Sequence, residues 1–183
     1  RGGDVAYMRR ALEIALNYRR GYLEANQMTT APHWFNPEGL AIHYWLTGDE
    51  ASRAAVLQLA RDYTVGYAPT KMAQPDFWAI EGRIQQRGLL SNAISYLLEG
   101  GDQYRIDAAG YVTAILGLAR ADGSYSWPNW CGLQGNYMVA LQYDAVIKYT
   151  QWIEEDSRIT PVLRRVLDYL WTTQWIPSEQ SFQ

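Results

Sequence analysis

This chain is short of almost everything from which a chemical signature is usually built. It has one cysteine, Cys131, and two histidines, His33 and His43. Those counts exclude a disulfide framework and a Cys/His zinc cluster, so the reading calls for no metal and no cofactor, and Cys131 is taken as a small buried thiol. No apolar run approaches the roughly 20 residues of a membrane span, and no charged-then-apolar signal segment opens the chain. No membrane partner is expected. Charge of one sign is equally scarce, since 16 basic side chains against 19 acidic ones leave a net −3. That balance gives no electrostatic reason to expect nucleic acid. Because the chain opens on Arg1 and not on Met, a targeting segment is expected to have been removed or to lie upstream, and the compartment stays open.

Phenylalanine is also rare, with three residues against 8 Trp and 14 Tyr. Trp and Tyr carry a polar handle on an apolar body, which suits half-wet grooves as well as the wedges between helices. Sugar rings have flat C–H faces and polar rims, so such side chains commonly line carbohydrate sites. Both readings remain open for any single Trp.

What is abundant is helical periodicity. The stretch from His33 to Glu50, HWFNPEGLAIHYWLTGDE, reads as an aromatic loop, a capped helix and a tight turn. Asn36 is expected to cap the free N–H groups of the helix start, with Pro37 in the first helical position. From Gly39 to Leu46 nearly every side chain is apolar, which predicts an interior helix with no face left for water. His43 falls inside it and reads as a satisfied core residue. Gly48 ends the helix, and Asp49 caps a second one running from Glu50 to about Tyr67.

The plan then recurs. A leading amphipathic helix spans Asp4 to about Asn26. After the linker 68–75, a second inner helix runs from about Asp76 to Glu99, turns at Gly100-Gly101-Asp102, and returns from Gln103 to about Ala121. A third loop leads into Tyr137–Ile153. Thr160-Pro161 reads as cap and first residue of a last helix that reaches about Trp175. The aspartates of the three turns, Asp49, Asp102 and Asp156, stand 53 and 54 positions apart. Near-equal periods predict tandem helical hairpins in one all-α domain over residues 1–183, with the long loops 27–36, 68–76 and 122–135 together at one end.

The segments HWFNPEGLAIHYWLTGDE, RGLLSNAISYLLEGGDQYRIDAAG and QGNYMVALQYDAVIKYTQW resemble the inner-helix segments of (α/α) toroid proteins of the six-hairpin glycosidase kind, including polysaccharide lyases of similar architecture. The likeness covers roughly residues 30 to 175. It implies a partial (α/α) toroid acting on a poly- or oligosaccharide, as glycoside hydrolase or polysaccharide lyase, and a periplasmic or extracellular setting. Such toroids close with about six hairpins, whereas three are legible here. The chain is therefore expected to be a fragment of a larger toroid or an open arc. Either would leave apolar surface beside the first or last helix, to be covered by self-association or by the rest of a longer chain.

Candidate chemistry gathers at the loop end. Glu38, in the first turn of an inner helix, suits proton transfer to a glycosidic oxygen, and equally suits a carboxylate that only complements the helix dipole. Asp76 and Glu81 are the carboxylates that could oppose it. Arg83 and Arg87, four apart on one helix, could fork onto a uronate carboxylate or tie neighbouring helices. His33, whose imidazole could take a proton, is the candidate base. Trp34, Asn36, Tyr125, Trp127, Trp130, Asn136 and Tyr137 could stack on or hydrogen-bond a sugar. Hydrolysis needs two opposed carboxylates, while elimination needs a neutralising Arg and a His or Tyr base. The competing class is a non-catalytic scaffold whose concave face binds a glycan or a protein.

Overall fold

A computed structural model of the chain describes residues 5–72, 82–125 and 136–182. Over that range the protein is all-α apart from one short ribbon. In chain order, α1 (Val5–Asn17) runs into a π-helical stretch, Tyr18–Glu24, and a 3-10 turn, Pro32–Trp34, precedes α2 (Pro37–Thr47). Then come α3 (Glu50–Gly66), the single turn α4 (Pro69–Met72), α5 (Gly82–Glu99), α6 (Asp102–Gly117), α7 (Asn136–Trp152) and α8 (Ile159–Tyr169). A π turn, Leu170–Gln174, leads from α8 into strand β1 (Trp175–Ile176), which pairs antiparallel with β2 (Ser181–Phe182). Among the described residues no helix is long and apolar enough to cross a membrane.

Two turns follow their glycines. Gly48 sits at φ +72° and closes α2 with a 2.7 Å bond from its N–H to the Tyr44 carbonyl. Gly100 (φ +74°) and Gly101 (φ +101°) make the same change of direction between α5 and α6. A Cβ at these angles would clash with its own backbone. The third turn has no glycine and works through Asp156, whose Oδ1 accepts from the Arg158 N–H at 2.9 Å while its carbonyl accepts from Ile159 at 3.0 Å. Helix α8 thus begins at Ile159, so the expected cap at Thr160-Pro161 is corrected. The α-helix also stops at Tyr169 rather than near Trp175.

The helices alternate in direction. Tyr63, late in α3, donates to the Ile84 carbonyl early in α5 at 2.9 Å, and Arg53, early in α3, reaches Glu99 at the end of α5 at 3.4 Å. Arg105, early in α6, reaches Glu154 just beyond α7 at 3.2 Å. Each glutamate stands at a helix C-terminus, where the dipole disfavours a negative charge, and the arginine across the turn offsets that. The three turns therefore share one end of the molecule, and α2, α5 and α7 begin at the other.

Helix α5 is the centre. It packs against α2, α3, α6 and α7, and every residue from Gly88 to Ser95 is buried. Polar groups inside it are mostly bonded locally: Ser91 Oγ donates to the Gly88 carbonyl at 3.0 Å, and Asn92 Nδ2 reaches both that carbonyl and Thr64 Oγ1 at 2.9 Å. Gly88 has no side chain because the ring of Tyr111 fills its place.

Helix α2 departs from expectation. It buries Leu40, Ala41 and His43, yet leaves Ile42, Trp45 and Leu46 about half exposed. Among the described residues it packs chiefly against α1, α3 and α5, at the edge of the helical layer. Beyond it α1 leaves Val5, Tyr7, Met8 and Ile14 open to solvent and buries Ala15 alone.

Candidate functional site

At the end where α2 and α5 start, the chain builds a polar cluster on an aromatic floor. Phe35 is fully buried against Tyr63, ring centroids 5.2 Å apart, and Tyr63 in turn lies 4.9 Å from Tyr67. Burying Phe35 pins the loop and leaves Asn36 at its surface. Tyr18, on the π-helical stretch, latches the same loop: its hydroxyl donates to the Trp34 carbonyl at 2.6 Å and accepts from the Asn36 N–H at 3.2 Å. Burial pushes the Tyr18 phenol up, although the Asn36 and Thr30 hydrogen bonds pull the other way.

Asn36 stands at the cap position of α2 without capping it. Its Oδ1 accepts instead from Arg87 Nη1 at 2.7 Å. The charged donor of α5 outcompetes the local backbone N–H, since charge-assisted bonds are about twice as strong as neutral ones. Desolvation lowers the pKa of Arg87, with Tyr63, Tyr18 and Glu38 acting to raise it and Arg83 adding repulsion. A guanidinium stays charged under such shifts. The Nε of Arg87 is buried with no partner. One face of this arginine is therefore held by Asn36 while another donor is unused.

Glu38 lies in the first turn of α2, but Lys148 of α7 donates to its Oε1 at 2.8 Å. The same ammonium holds Asp144 at 2.8 Å and stands 5.9 Å over the ring of Trp152. Desolvation opposes the charge on Lys148, and the bonds to Asp144 and Glu38 outweigh it, so its pKa is raised. This pair reaches from α2 to α7, the two helices that flank α5. Glu38 serves there as a tie.

The other expected residues divide. His33 is half-buried in the 3-10 turn beside Trp34, whose side chain is 63% exposed, and Arg83 lies one turn before Arg87. Asn136 Nδ2 approaches Gln174 Oε1 at 3.5 Å, beside the exposed Tyr137. That contact sets Asn136 against the C-terminal segment. Tyr125 is corrected from surface to core: it is 4% exposed and packs edge-on against Tyr143 at 6.0 Å. Asp76, Glu81, Trp127 and Trp130 lie outside the described residues, as does Cys131.

A second polar network stands at the turn end. Ser52 Oγ lies 2.8 Å from Asp49 Oδ2 and 3.0 Å from His43 Nδ1. The hydroxyl's single proton goes to the carboxylate, so Nδ1 of His43 carries its own. Arg19 Nη2 reaches Asp49 at 3.0 Å, and Arg19 also pairs with Glu24. The Ser52 hydrogen bond, with attraction from Arg19 and His43, holds the Asp49 carboxyl below the usual range. Serine, histidine and aspartate meet here, yet Ser52 is fully buried and no substrate can reach it. The network fastens the π-helical stretch, α2 and α3.

Sequence reasoning passed over Tyr18 and Lys148, which act only through contacts far along the chain. It also passed over Trp171, Trp175 and Phe182, which form one aromatic group, the two indoles stacked at 5.1 Å and 11°. Two tryptophans four apart near the end of a helix are a signal that could have flagged it. Among the described residues no group of three or more His, Cys, Asp or Glu is placed to hold a metal ion. No family model, curated protein or solved structure matches the chain.

Proposed function

We propose that this all-α domain, read as part of an (α/α) toroid of tandem hairpins, engages a uronate-containing polysaccharide at the Asn36–Arg87 end and cleaves it by elimination. The observation that carries the reading is Arg87, a half-buried guanidinium at that end whose Nη1 is tethered to Asn36. A fork held in that way suits a sugar carboxylate, whose charge it neutralises. Neutralisation acidifies the C–H next to that carboxylate. His33 would take this proton, the electron pair would form the C=C bond, and the glycosidic oxygen would leave as a hydroxyl after taking a proton from water. Trp34, exposed beside His33, offers a face for the neighbouring ring.

Binding without cleavage is the second reading. It is favoured by the engagement of Glu38 with Lys148 and by the Tyr18 hydroxyl, whose proton is given to the Trp34 carbonyl. Neither group is free to move a proton. Incubation with pectate, alginate and glucuronan should raise ultraviolet absorbance from new unsaturated ends, and Arg87→Ala or His33→Ala should abolish the rise. Binding that is lost in Arg87→Ala with no absorbance change selects the scaffold reading. New reducing ends without absorbance, stopped by Glu38→Gln, would replace elimination with hydrolysis. A chain that neither binds nor cleaves any of these polymers overturns the proposal.

A further inference from the structure

A groove of about 630 Å³ runs along α8 and the π turn behind it. None of its lining residues belongs to α2 or α5. Asp122 lines one side, and the face of α8 bearing Arg164, Arg165 and Asp168 lines the other. The Asp122 side can lie flat on the helix because Gly123, at φ +89°, has no Cβ; one would stand 2.8 Å from the Cβ of Tyr169. The volume falls within the range of about 300–1,000 Å³ typical of small-ligand sites.

The charges around this groove do not neutralise one another. Asp122 accepts from Ser124 through its hydroxyl (2.7 Å) and its N–H (2.9 Å), and those bonds hold its carboxyl below the usual range. None of Asp122, Arg164, Arg165 and Asp168 is ion-paired with another, although Arg164 and Asp168 have the i, i+4 spacing that permits it. The Nε of Arg165 is buried and has no partner. On the π turn, Thr172 Oγ1 donates to the Asp168 carbonyl at 2.7 Å and Thr173 Oγ1 to the Tyr169 carbonyl at 2.5 Å. Their protons are thus used and their oxygens are left to accept. Next to Thr172 in the chain, Trp171 has one face on Trp175 and is still 62% exposed. Phe182 stands edge-on to the same indole at 6.4 Å, and Trp171 does not itself line the groove.

An anion entering this groove meets two carboxylates, and a cation meets two guanidiniums. A neutral polyol meets neither penalty, since each hydroxyl both donates and accepts and can use arginine donors together with carboxylate and threonine acceptors. We infer that the α8 groove is a binding site for a neutral oligosaccharide, distinct from the Asn36–Arg87 end. The inference stands on its own residues and does not require the uronate reading. The groove is open along its length, so affinity should be weak, with Kd on the order of 1 mM.

The test uses the full chain, titrated with neutral hexasaccharides of glucan, xylan, mannan and chitin type, and followed by tryptophan fluorescence and indole N–H NMR signals. A uronate oligosaccharide, inorganic phosphate and spermidine serve as charged probes. At least one neutral hexasaccharide should bind, and Arg164→Gln and Asp168→Asn should each weaken it roughly tenfold or more, while Arg87→Ala leaves it unchanged. Arg164 and Asp168 are both exposed, so each variant keeps the fold and the test valid. No neutral binding at tens of millimolar, binding confined to a charged probe, or binding that survives both groove variants would overturn the inference. Uronate binding lost in Arg87→Ala alongside silent neutral sugars would support the first site and reject this one.

Discussion

Gly88→Ala is the most direct challenge to the packing described above. A Cβ built at Gly88 stands 2.5 Å from Tyr111 Cε1 and 2.7 Å from its hydroxyl oxygen. Those are distances that carbon atoms do not sustain, and Tyr111 is fully buried with its hydroxyl donating to the Tyr67 carbonyl at 2.5 Å. The ring therefore has to move. Overpacking of this kind costs about 1–3 kcal/mol, and loss of the Tyr111 bond adds about 1 kcal/mol. Acting against both is the better helix propensity of alanine, about 1 kcal/mol. The balance is a net destabilisation of about 2 kcal/mol, which lowers the thermal midpoint by about 4–8 °C for a chain of this length. Urea unfolding followed by circular dichroism measures it. Because leucine lacks the colliding ring atoms, Gly88→Ala combined with Tyr111→Leu should lose less than the sum of the two single changes, with coupling of about 1 kcal/mol or more. A Gly88→Ala protein as stable as the parent, or more stable by the propensity gain, would show that α5 and α6 do not meet at this point.

Asp49→Asn should lose about 2 kcal/mol at neutral pH, because it strips the buried Arg19 of one of its two carboxylates. The native pKa of Asp49 lies below its ordinary 3.8, so its contribution is complete above that value and lost as pH falls through the lower native one. The difference between parent and variant in unfolding free energy should accordingly shrink below about pH 4; a constant difference from pH 7 to pH 2 would contradict the network. Lys148→Met removes the tie between α2 and α7, and the exposure of its partners keeps the expected loss within about 0.2–1 kcal/mol. A loss of several kcal/mol would mean that this ion pair is far more shielded than its exposure indicates. Gly123→Ala, which places a Cβ against Tyr169 at a left-handed backbone angle, should cost about 1–3 kcal/mol and raise proteolysis at the junction with α8; unchanged stability would contradict the close approach.

The parts of the fold legible in the sequence are those governed by local stereochemistry. Gly48 and Gly100-Gly101 announce their turns because few other residues adopt those angles, and the helices between them end within a few residues of expectation. What escaped was decided across the chain. Asn36 has every local reason to cap α2, and Arg87, 51 positions later, takes its oxygen. The apolar run from Gly39 to Leu46 suggests burial on all sides, but it cannot say that α2 would be an edge helix with Trp45 and Ile42 half in water. Loop composition likewise cannot separate a tyrosine in the core, such as Tyr125, from one at the surface, such as Tyr137. Of the candidate site, Asn36 and Arg87 were legible as polar groups at a helix end, and their pairing was not. The groove on α8 was missed because Arg164 and Asp168 look like ordinary helix-surface charges until the turn at Gly123 is laid beside them.

The enclosure of α5 also decides how the molecule comes apart. Amide hydrogens between Gly88 and Ser95 can exchange with solvent only after α2, α3, α6 or α7 has withdrawn, since each covers part of the same helix. Those five segments therefore open as one cooperative unit, and their slowest amides should report the global unfolding free energy. Helix α1 buries one residue, and α8 buries two, Ile159 and Val166; both can detach without uncovering α5. Exchange should thus reveal two tiers: a central block with one shared protection, and two outlying helices that fray on their own at far lower cost. The α8 groove belongs to the outer tier, so a ligand bound there would slow exchange in α8 and leave the protection of α5 almost unmoved.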